Sequence, residues 1–275
     1  MERNGIEQGD AAAPCDPRQS PYHEQIAIRT GDGLCPAHVM IPNDVGPWPG
    51  VIFYMDGLAI RPALLAMAKR LACCGYVVLL PDLFYRAGSY DTPDAARISA
   101  DDGARADFRK LMSVTDNRLA SQDTEAYLAY LDSRSDVSGP AVGVVGYCLG
   151  GGVALTVAGD FADRIAVAAS FHGGHLATDL PTSPHLSVHK IRGRVLVASA
   201  DGDPSYPPEM AERLETEFRD AGVDHRCETF LGAKHGWTMA DLPAFDAPAA
   251  ERHWRELTAL FAGALPAHGA NERIQ

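Results

Sequence analysis

The stretch that decides the fold is VGVVGYCLGGGVA, residues 142–154. Its first part is a run of β-branched residues typical of a buried strand, and its last part is a run of small residues suited to a buried helix. Cys148 stands between them, flanked by Gly146 and Gly150. Glycines are expected at such flanks because strand and helix pack closely around a strained apex. The stretch therefore predicts a strand, a sharp turn and a helix, with one reactive side chain at the turn.

This turn matches the nucleophile elbow pattern G-x-S-x-G, with Cys148 in place of serine. The N-terminus of the following helix would direct free N–H groups and a positive dipole end at the thiol. Such a position favours a thiolate and can also hold an oxyanion. The alternative interpretation is a glycine-rich connection that holds an inert, buried cysteine. The partners available elsewhere in the chain favour the first interpretation.

Length, charge and cysteine usage limit the class of protein. A chain of 275 residues that is 46% hydrophobic suits one large α/β domain with a filled core. The net charge of −12 argues against nucleic acid or an anionic membrane as a partner, but allows a small-molecule substrate. No apolar run could span a bilayer, and no apolar signal core follows Met1. The six cysteines have no CxxC spacing, so we expect a cytoplasmic protein with reduced thiols.

Strand and helix patterns alternate along most of the chain. We expect a tail over residues 1–22, one domain over 23–265 and a second tail over 266–275. A hairpin is predicted within 24–41, and residues 87–100 are predicted as a loop. Later strands are predicted at 51–55, 76–80, 165–171, 194–200 and 225–230, and helices from 62 onward and at 101–115, 121–134, 209–221 and 246–262. This alternation predicts a mostly parallel sheet with helices on both faces.

Polar side chains follow the predicted strands at the points where these strands end. In a parallel sheet the carboxyl ends of the strands meet at one edge, where active sites form. We therefore expect one cluster from the following residues: Asp56, Arg86, Cys148, His172, Asp203 and His235.

A catalytic triad is predicted within that cluster. A nucleophilic thiol needs a base that takes its proton and a third group that orients the base. Cys148, Asp203 and His235 occur in the order nucleophile, acid, histidine. Asp201 competes with Asp203 as the acid. We favour Asp203, and Asp201 could be a turn residue that binds local backbone.

The motifs GYCLGG at residues 146–151 and GAKHG at 232–236 resemble those of the dienelactone hydrolase family of α/β-hydrolases. The resemblance covers roughly residues 25 to 262. It implies a single-domain α/β-hydrolase fold that needs no cofactor. It also implies a carboxylic ester hydrolase in which the cysteine attacks a small ester or lactone and forms an acyl-enzyme.

The resemblance also assigns a further acid. In this family an acidic residue after an early strand holds the resting thiol and regulates its ionisation, and Asp56 stands at that place. The family residue is usually glutamate, so aspartate shortens the reach toward Cys148 by about 1.5 Å. The oxyanion hole is expected from the backbone N–H groups of Leu149 and Gly57.

Substrate recognition is where this sequence departs from the family. Arg86 matches an arginine that binds the substrate carboxylate in dienelactone hydrolases. A second such arginine follows the catalytic histidine by four residues, and Met239 stands there instead. A more apolar or differently charged ester is therefore plausible, unless Arg61 replaces the missing charge. Alternatively, Arg86 forms an ordinary salt bridge.

The remaining candidates concern the walls of the site. His172 and His175 form H-x-x-H, but in a glycine loop this spacing does not present both rings as H-E-x-x-H does on a helix. We expect no metal, and we expect His172 to line the pocket beside the thiol. Tyr85, Phe84 and Trp237 are predicted as aromatic walls.

Two other functions stay open at this point. One is a general carboxylesterase or thioesterase that uses the same triad. The other is a catalytically degenerate hydrolase that only binds a small ligand, although a binder has no need of all three triad residues. The sequence is compatible with a monomer or a small homo-oligomer.

Overall fold

The protein is described here by a computed structural model that covers residues 20–265. An eight-stranded sheet with the order β1-β2-β4-β3-β5-β6-β7-β8 forms its centre. The strands are β1 (Tyr22–Thr30), β2 (Gly33–Ile41), β3 (Trp48–Tyr54), β4 (Val77–Pro81), β5 (Val137–Tyr147), β6 (Ile165–Phe171), β7 (Arg194–Ala200) and β8 (His225–Phe230). The β1–β2 and β2–β4 pairs are antiparallel and all later pairs are parallel.

Within residues 20–265, seven α-helices connect or follow the strands. They are α1 (Pro62–Ala72), α2 (Ala95–Ala100), α3 (Asp102–Met112), α4 (Asn117–Asp132), α5 (Leu149–Asp160), α6 (Pro208–Ala221) and α7 (Ala247–Ala264). Short 3₁₀ segments occupy Tyr85–Ala87 and Pro184–Lys190.

The helices cover both faces of the sheet. Along β5 the side-chain direction alternates, so that Gly143 faces Phe261 of α7 whereas Gly146 faces the start of α5. α1 lies beside α7, because Arg70 and Glu251 form a bidentate ion pair at 2.7 Å. With both faces covered, every residue of β3 is buried. The predicted mostly parallel sheet is confirmed.

Two details differ from the sequence expectation. The stretch 87–100, expected to be loop, contains α2, which begins after Asp94. The Asp94 side chain accepts a hydrogen bond from the amide of Arg97 and so caps the helix. β1 begins at Tyr22, one residue before the predicted domain start. Residues 1–19 of the predicted N-terminal tail and all of the predicted tail at 266–275 lie outside the described residues.

No helix within residues 20–265 is long and apolar enough to cross a membrane.

Candidate active site

Cys148 occupies the apex between β5 and α5. β5 ends at Tyr147 and α5 begins at Leu149, so the cysteine is the single residue that joins them. Its backbone has φ 52° and ψ −112°, a region that residues with a side chain rarely adopt. Its amide donates a hydrogen bond of 3.1 Å to the carbonyl of Phe171 on β6. This bond to a neighbouring strand helps to hold the strained turn in place.

The two flanking glycines are required by close backbone contacts. A Cβ atom at Gly146 would overlap the carbonyl of Gly150, and one at Gly150 would overlap the carbonyls of Tyr54 and Met55. Through the first contact, the start of α5 packs directly on β5. The second presses α5 against the end of β3. Together they bring the thiol and the loop after β3 to the same edge of the sheet.

His235 and Asp203 meet at that edge, although 32 residues separate them. His235 Nδ1 lies 2.6 Å from Asp203 Oδ2, and the aspartate side chain is almost completely buried. Ser205 donates to the other oxygen of Asp203, from its hydroxyl at 2.7 Å and from its amide at 2.9 Å. The carboxylate is therefore fixed while one of its oxygens orients the imidazole.

Asp201 has a different environment. Its Oδ2 accepts a hydrogen bond of 3.0 Å from the amide of Gly232, and its own amide donates to the carbonyl of Ala233. Asp201 thus ties the loop after β7 to the loop after β8. Of the two candidate acids, only Asp203 is hydrogen-bonded to His235.

The pKa shifts of His235 and Asp203 follow from their contacts. Burial lowers the pKa of His235, but hydrogen bonds and charges from Cys148 and Asp203 outweigh burial and raise it to about 9. Burial raises the pKa of Asp203, but hydrogen bonds from His235 and Ser205 hold it below its ordinary value. The contacts of His235 with Cys148 and Asp203 therefore favour a protonated imidazole beside the sulfur. Since Nδ1 is engaged with Asp203, Nε2 is the nitrogen available to the thiol.

His172 lies next to the imidazole of His235, with ring centroids 5.2 Å apart. It is buried, and its Nε2 is 2.8 Å from the hydroxyl of Thr238. Burial, reinforced by the charge of His235, lowers the pKa of His172 well below its ordinary value. A neutral ring at this place supports His235 without competing for its proton. His175, in contrast, is exposed and does not join it.

The amides of Gly57 and Leu149 have no hydrogen-bond acceptor among residues 20–265. Gly57 follows the end of β3, and Leu149 begins the helix that packs against that end. Phe108 and Met112 of α3 approach Gly57 from outside, at 3.4 Å and 3.2 Å from the position of a Cβ atom. α3 therefore gives the loop an apolar cover that the sequence patterns did not indicate.

Asp56 is held by an arginine. Its two carboxylate oxygens accept hydrogen bonds of 2.6 Å and 2.9 Å from Arg61, and both side chains are buried. Arg61 also donates to Asp241 at 2.5 Å and 3.3 Å. The recorded hydrogen bonds of Asp56 go to Arg61 and to the amide of Leu58, not to Cys148. The guanidinium of Arg61 is thus shared between two carboxylates.

Arg86 is also paired with carboxylates. Its Nε donates to Asp32 and its Nη2 to Asp123, each at 2.8 Å. The side chain stacks on the ring of Tyr85, whose hydroxyl lies 2.7 Å from Thr30 and donates to Asp123 at 3.0 Å. Tyr85 and Arg86 therefore join the β1–β2 hairpin to α4, and a substrate carboxylate would compete with two aspartates for Arg86.

Trp237 and Met239 are completely buried. Trp237 stacks on Phe230 and meets the ring of His172 edge-on at 5.0 Å. The tryptophan is thus the support behind His172. Phe84, predicted with it as a wall, is likewise completely buried and packs edge-on against Tyr90.

The sheet order, the helices on both faces and the strand–turn–helix apex define an α/β-hydrolase fold. The model of the dienelactone hydrolase family matches residues 35–265, and the chain belongs to that family. It is accordingly a hydrolase of carboxylic esters, the chemical class that includes lactones.

Individual relatives agree with this membership. A carboxymethylenebutenolidase of Rhodococcus opacus is 26% identical over 258 residues, which are 92% of this chain and 96% of the relative. A Synechocystis protein named "Putative carboxymethylenebutenolidase" is 27% identical over 223 residues, 80% of this chain and 88% of that protein. The crystal structure of a "Putative Dienelactone Hydrolase" from Klebsiella pneumoniae has a TM-score of 0.76 at 20% identity, covering 88% of this chain and 98% of the other. This last likeness supports the fold alone.

Several residues around the site were not identified from the sequence. Ser205 could have been, because a serine two residues after an aspartate often bonds back to its carboxylate. Asp241 could not, because 180 residues separate it from Arg61. Phe108 and Met112 lie on a helix whose exposed charges dominate its pattern.

Proposed function

We propose that this protein hydrolyses a small neutral ester or lactone through a Cys148–His235–Asp203 triad and an acyl-enzyme. The observation that carries the proposal is the position of His235, whose Nδ1 is hydrogen-bonded to Asp203 and whose pKa is raised by both Cys148 and Asp203. Asp203, His235 and Cys148 follow β7, β8 and β5, respectively, and so lie at one edge of the sheet. This arrangement has a nucleophile, a base and an orienting acid, which is what acyl transfer needs.

In the first half-reaction, the thiolate of Cys148 attacks the carbonyl carbon, and the C=O electrons move onto oxygen. The amides of Gly57 and Leu149 are proposed to hold this oxyanion, since both are without an acceptor. The tetrahedral intermediate then collapses and the C–O bond breaks. His235 gives its proton to the leaving alkoxide, which in a lactone stays attached to the acyl group.

In the second half-reaction, water attacks the thioester of the acyl-enzyme. His235, now neutral, takes a proton from this water, while Asp203 keeps the imidazole oriented and stabilises its positive charge. The second tetrahedral intermediate expels the Cys148 thiolate and releases the acid. Because the chemistry needs a reduced thiol, we expect the protein to work in a reducing compartment such as the cytoplasm.

The role of Asp56 departs from what the family resemblance implies. Its charge is neutralised by Arg61, and its recorded partners do not include the thiol. We propose that Asp56 acts through Arg61 to position the loop that carries Gly57, and that the His235 imidazolium is the main partner of the resting thiolate.

The proposed substrate is neutral because the expected anion-binding groups are engaged or absent. Arg86 pairs with Asp32 and Asp123, and Arg61 pairs with Asp56 and Asp241. A third position holds buried Met239. A substrate carboxylate would have to displace one of these buried or half-buried ion pairs, which costs desolvation and pairing energy.

The direct test is a single-turnover reaction with a neutral aryl ester, followed by mass spectrometry of the intact protein. We expect an acyl adduct on Cys148 that forms in a burst and disappears with time. A panel of aliphatic esters, lactones and thioesters then ranks the substrates and separates a lactone hydrolase from a general carboxylesterase or thioesterase. Absence of any adduct, with measurable ligand binding, would favour the degenerate binding protein.

A further inference from the structure

A second group of potential ligands lies away from the thiol. Glu215 of α6 and His225 and Cys227 of β8 place one ligand atom each within 4.8 Å of one another. They are the group of three such side chains within residues 20–265 that is compact enough to hold a metal ion. The sequence expectation of no metal considered only the H-x-x-H segment, and this cluster is separate from it.

The backbone fixes this convergence. His225 and Cys227 are two residues apart on β8, so both side chains point to the same face of the sheet. Arg226 between them points to the opposite face, where it pairs with Glu256 of α7. Glu215 reaches the first face from α6, where its carboxylate lies 3.2 Å from His225 Nε2 and within 4.8 Å of the Cys227 sulfur.

The imidazole of His225 is oriented as a ligand. Its Nδ1 lies 2.7 Å from the carbonyl of Val223, which can only accept, so Nδ1 carries a proton. Its Nε2 faces Glu215 Oε1 at 3.2 Å. Two lone pairs at that distance repel unless a proton or a cation lies between them. Phe218 stacks on the ring with centroids 4.8 Å apart and fixes its plane. A carbonyl that fixes the tautomer in this way accompanies most metal-binding histidines.

From this geometry we propose that Glu215, His225 and Cys227 bind one divalent transition-metal ion, with Zn²⁺ preferred. Zinc accepts carboxylate, imidazole and thiolate ligands at about 2.0–2.3 Å, which places tetrahedral ligands about 3.3–3.6 Å apart. The 3.2 Å between His225 Nε2 and Glu215 Oε1 is slightly below the lower end of this range, so a small outward shift of the partly exposed carboxylate admits the ion. On binding, the Cys227 proton leaves to solvent and the sulfur takes its place on the metal. The thiolate and the carboxylate then balance the two charges of the ion, and water fills the fourth position.

The proposed metal site is open to solvent, and one cation, Arg219, competes with the metal for Glu215. The side chain of His225 is 14% exposed and that of Glu215 is 37% exposed, so an ion can enter from solvent. Arg219, one turn further along α6, lies 3.9 Å from the same Glu215 oxygen and is mostly exposed. An exposed pair of this kind contributes little and can move aside.

The ion would act on the scaffold of the active site. α6 begins five residues after Asp203, and β8 ends five residues before His235. A metal that joins α6 to β8 would therefore restrict the relative movement of the two elements that adjoin Asp203 and His235. The proposal stands independently of the proposed hydrolase mechanism, since none of its ligands touches the triad.

The test uses the full chain without a histidine tag, stripped of metal and titrated with Co²⁺ alone. We expect a thiolate-to-cobalt charge-transfer band that saturates at one equivalent and is displaced by Zn²⁺. The band should persist in Cys148→Ser and disappear in Cys227→Ser. Glu215→Gln and His225→Gln should each weaken binding at least about tenfold. Glu217→Gln, an exposed glutamate on the same helix, is the matched control and should bind as the wild type does.

Thermal unfolding supplies a second measurement. Zn²⁺ should raise the Tm of the wild type and of Cys148→Ser, and should raise that of His225→Gln less at the same Zn²⁺ concentration, because stabilisation follows affinity for the folded state. If Cys227→Ser fails to fold, the glutamate and histidine variants carry the test. No charge-transfer band, or a band that survives in Cys227→Ser, overturns the proposal. A band lost only in Cys148→Ser would assign the metal to the catalytic thiol and would overturn it as well.

Discussion

Two aspartates at strand ends lie on opposite sides of Cys148 in the sheet, and their partners separate their roles. Asp203 follows β7 and is hydrogen-bonded to His235, whereas Asp56 follows β3 and is hydrogen-bonded to Arg61. Both are buried. A histidine can release and accept a proton near neutral pH, but an arginine stays protonated. The same residue type therefore has a titratable partner at one place, where we propose that it supports proton transfer, and a fixed ion pair at the other.

The ion pair still belongs to the architecture of the site. Arg61 joins Asp56, in the loop after β3, to Asp241, in the segment after His235. It thereby links the loop that carries Gly57 to the loop that carries the base. The two aspartates have similar positions at strand ends but different hydrogen-bond partners, and it is the partner that separates their proposed roles.

The largest expected effect is at the nucleophile that both aspartates flank. Cys148→Ala should abolish ester turnover, because no other group replaces the sulfur, while far-UV circular dichroism stays unchanged. Cys148→Ser should retain weak activity at most. Cys73→Ala, at the end of α1, is the matched control and should keep its turnover. Iodoacetamide should label Cys148 ahead of the other cysteines, and turnover surviving in Cys148→Ala would disprove the mechanism.

The next effect compares the two candidate acids after β7. Asp203→Asn should lower kcat by about 10³–10⁴, as in other triads in which the orienting carboxylate is replaced. Asp201→Asn should change kcat by less than about tenfold, because Asp201 binds only backbone amides and carbonyls. Steady-state kinetics with one neutral ester decides between them. The reverse order of effects would transfer the acid role to Asp201.

The pH profile tests whether His235 is the proton donor beside the thiol. Its pKa is raised to about 9, so kcat/KM should fall as pH rises through about 9. The proton on His235 also stabilises the fold, fully below the unfolded histidine pKa of about 6.5 and less as pH approaches 9. In Asp203→Asn the alkaline limb should move to lower pH, because one of the groups that raise the pKa is gone. An unmoved limb in that variant would mean that Asp203 does not act on His235.

A smaller effect on kcat is expected at Asp56, the aspartate that follows β3. Asp56→Asn should lower kcat by less than about tenfold, whereas Arg61→Met should lower stability by about 3 kcal/mol, because it leaves a buried carboxylate unpaired. For a protein of this size that loss corresponds to about 6–12 °C in Tm. The double variant Asp56→Asn/Arg61→Met should recover part of it. A loss of rate in Asp56→Asn as large as in Asp203→Asn would show that Asp56 regulates the thiol, as the family resemblance implies.

The smallest effect concerns substrate charge. The wild type should discriminate little between paired esters with and without a carboxylate, and Arg86→Met should change the ratio of their kcat/KM values by less than about threefold. A single charge-assisted hydrogen bond to the substrate would be worth about 1.5–3 kcal/mol, which is tenfold or more. A tenfold selective loss on the anionic ester in Arg86→Met would establish that Arg86 binds it in spite of Asp32 and Asp123.

Much of the fold follows from local patterns. The strands predicted at 165–171, 194–200 and 225–230 agree with β6, β7 and β8. β6 and β7 are apolar runs that are followed by turns containing glycine, and such runs are typical of buried strands. α2 was missed because its six residues have no buried side chain, so no apolar periodicity marks it. A capping aspartate was its only signal.

The sequence by itself determined the elbow at Cys148, the chain order of Cys148, Asp203 and His235, and the edge of the sheet at which they meet. These features depend on glycine sterics and on the order of strands along the chain, and both can be read from residues that are close in sequence. Only the tertiary structure decided which charges neutralise one another. Arg61 pairs with Asp241 across 180 residues, Arg86 with Asp32 across 54, and His225 with Glu215 from a strand to a helix. A side chain's electrostatic partner depends on distances of a few ångströms between elements, and no spacing along the sequence encodes such distances.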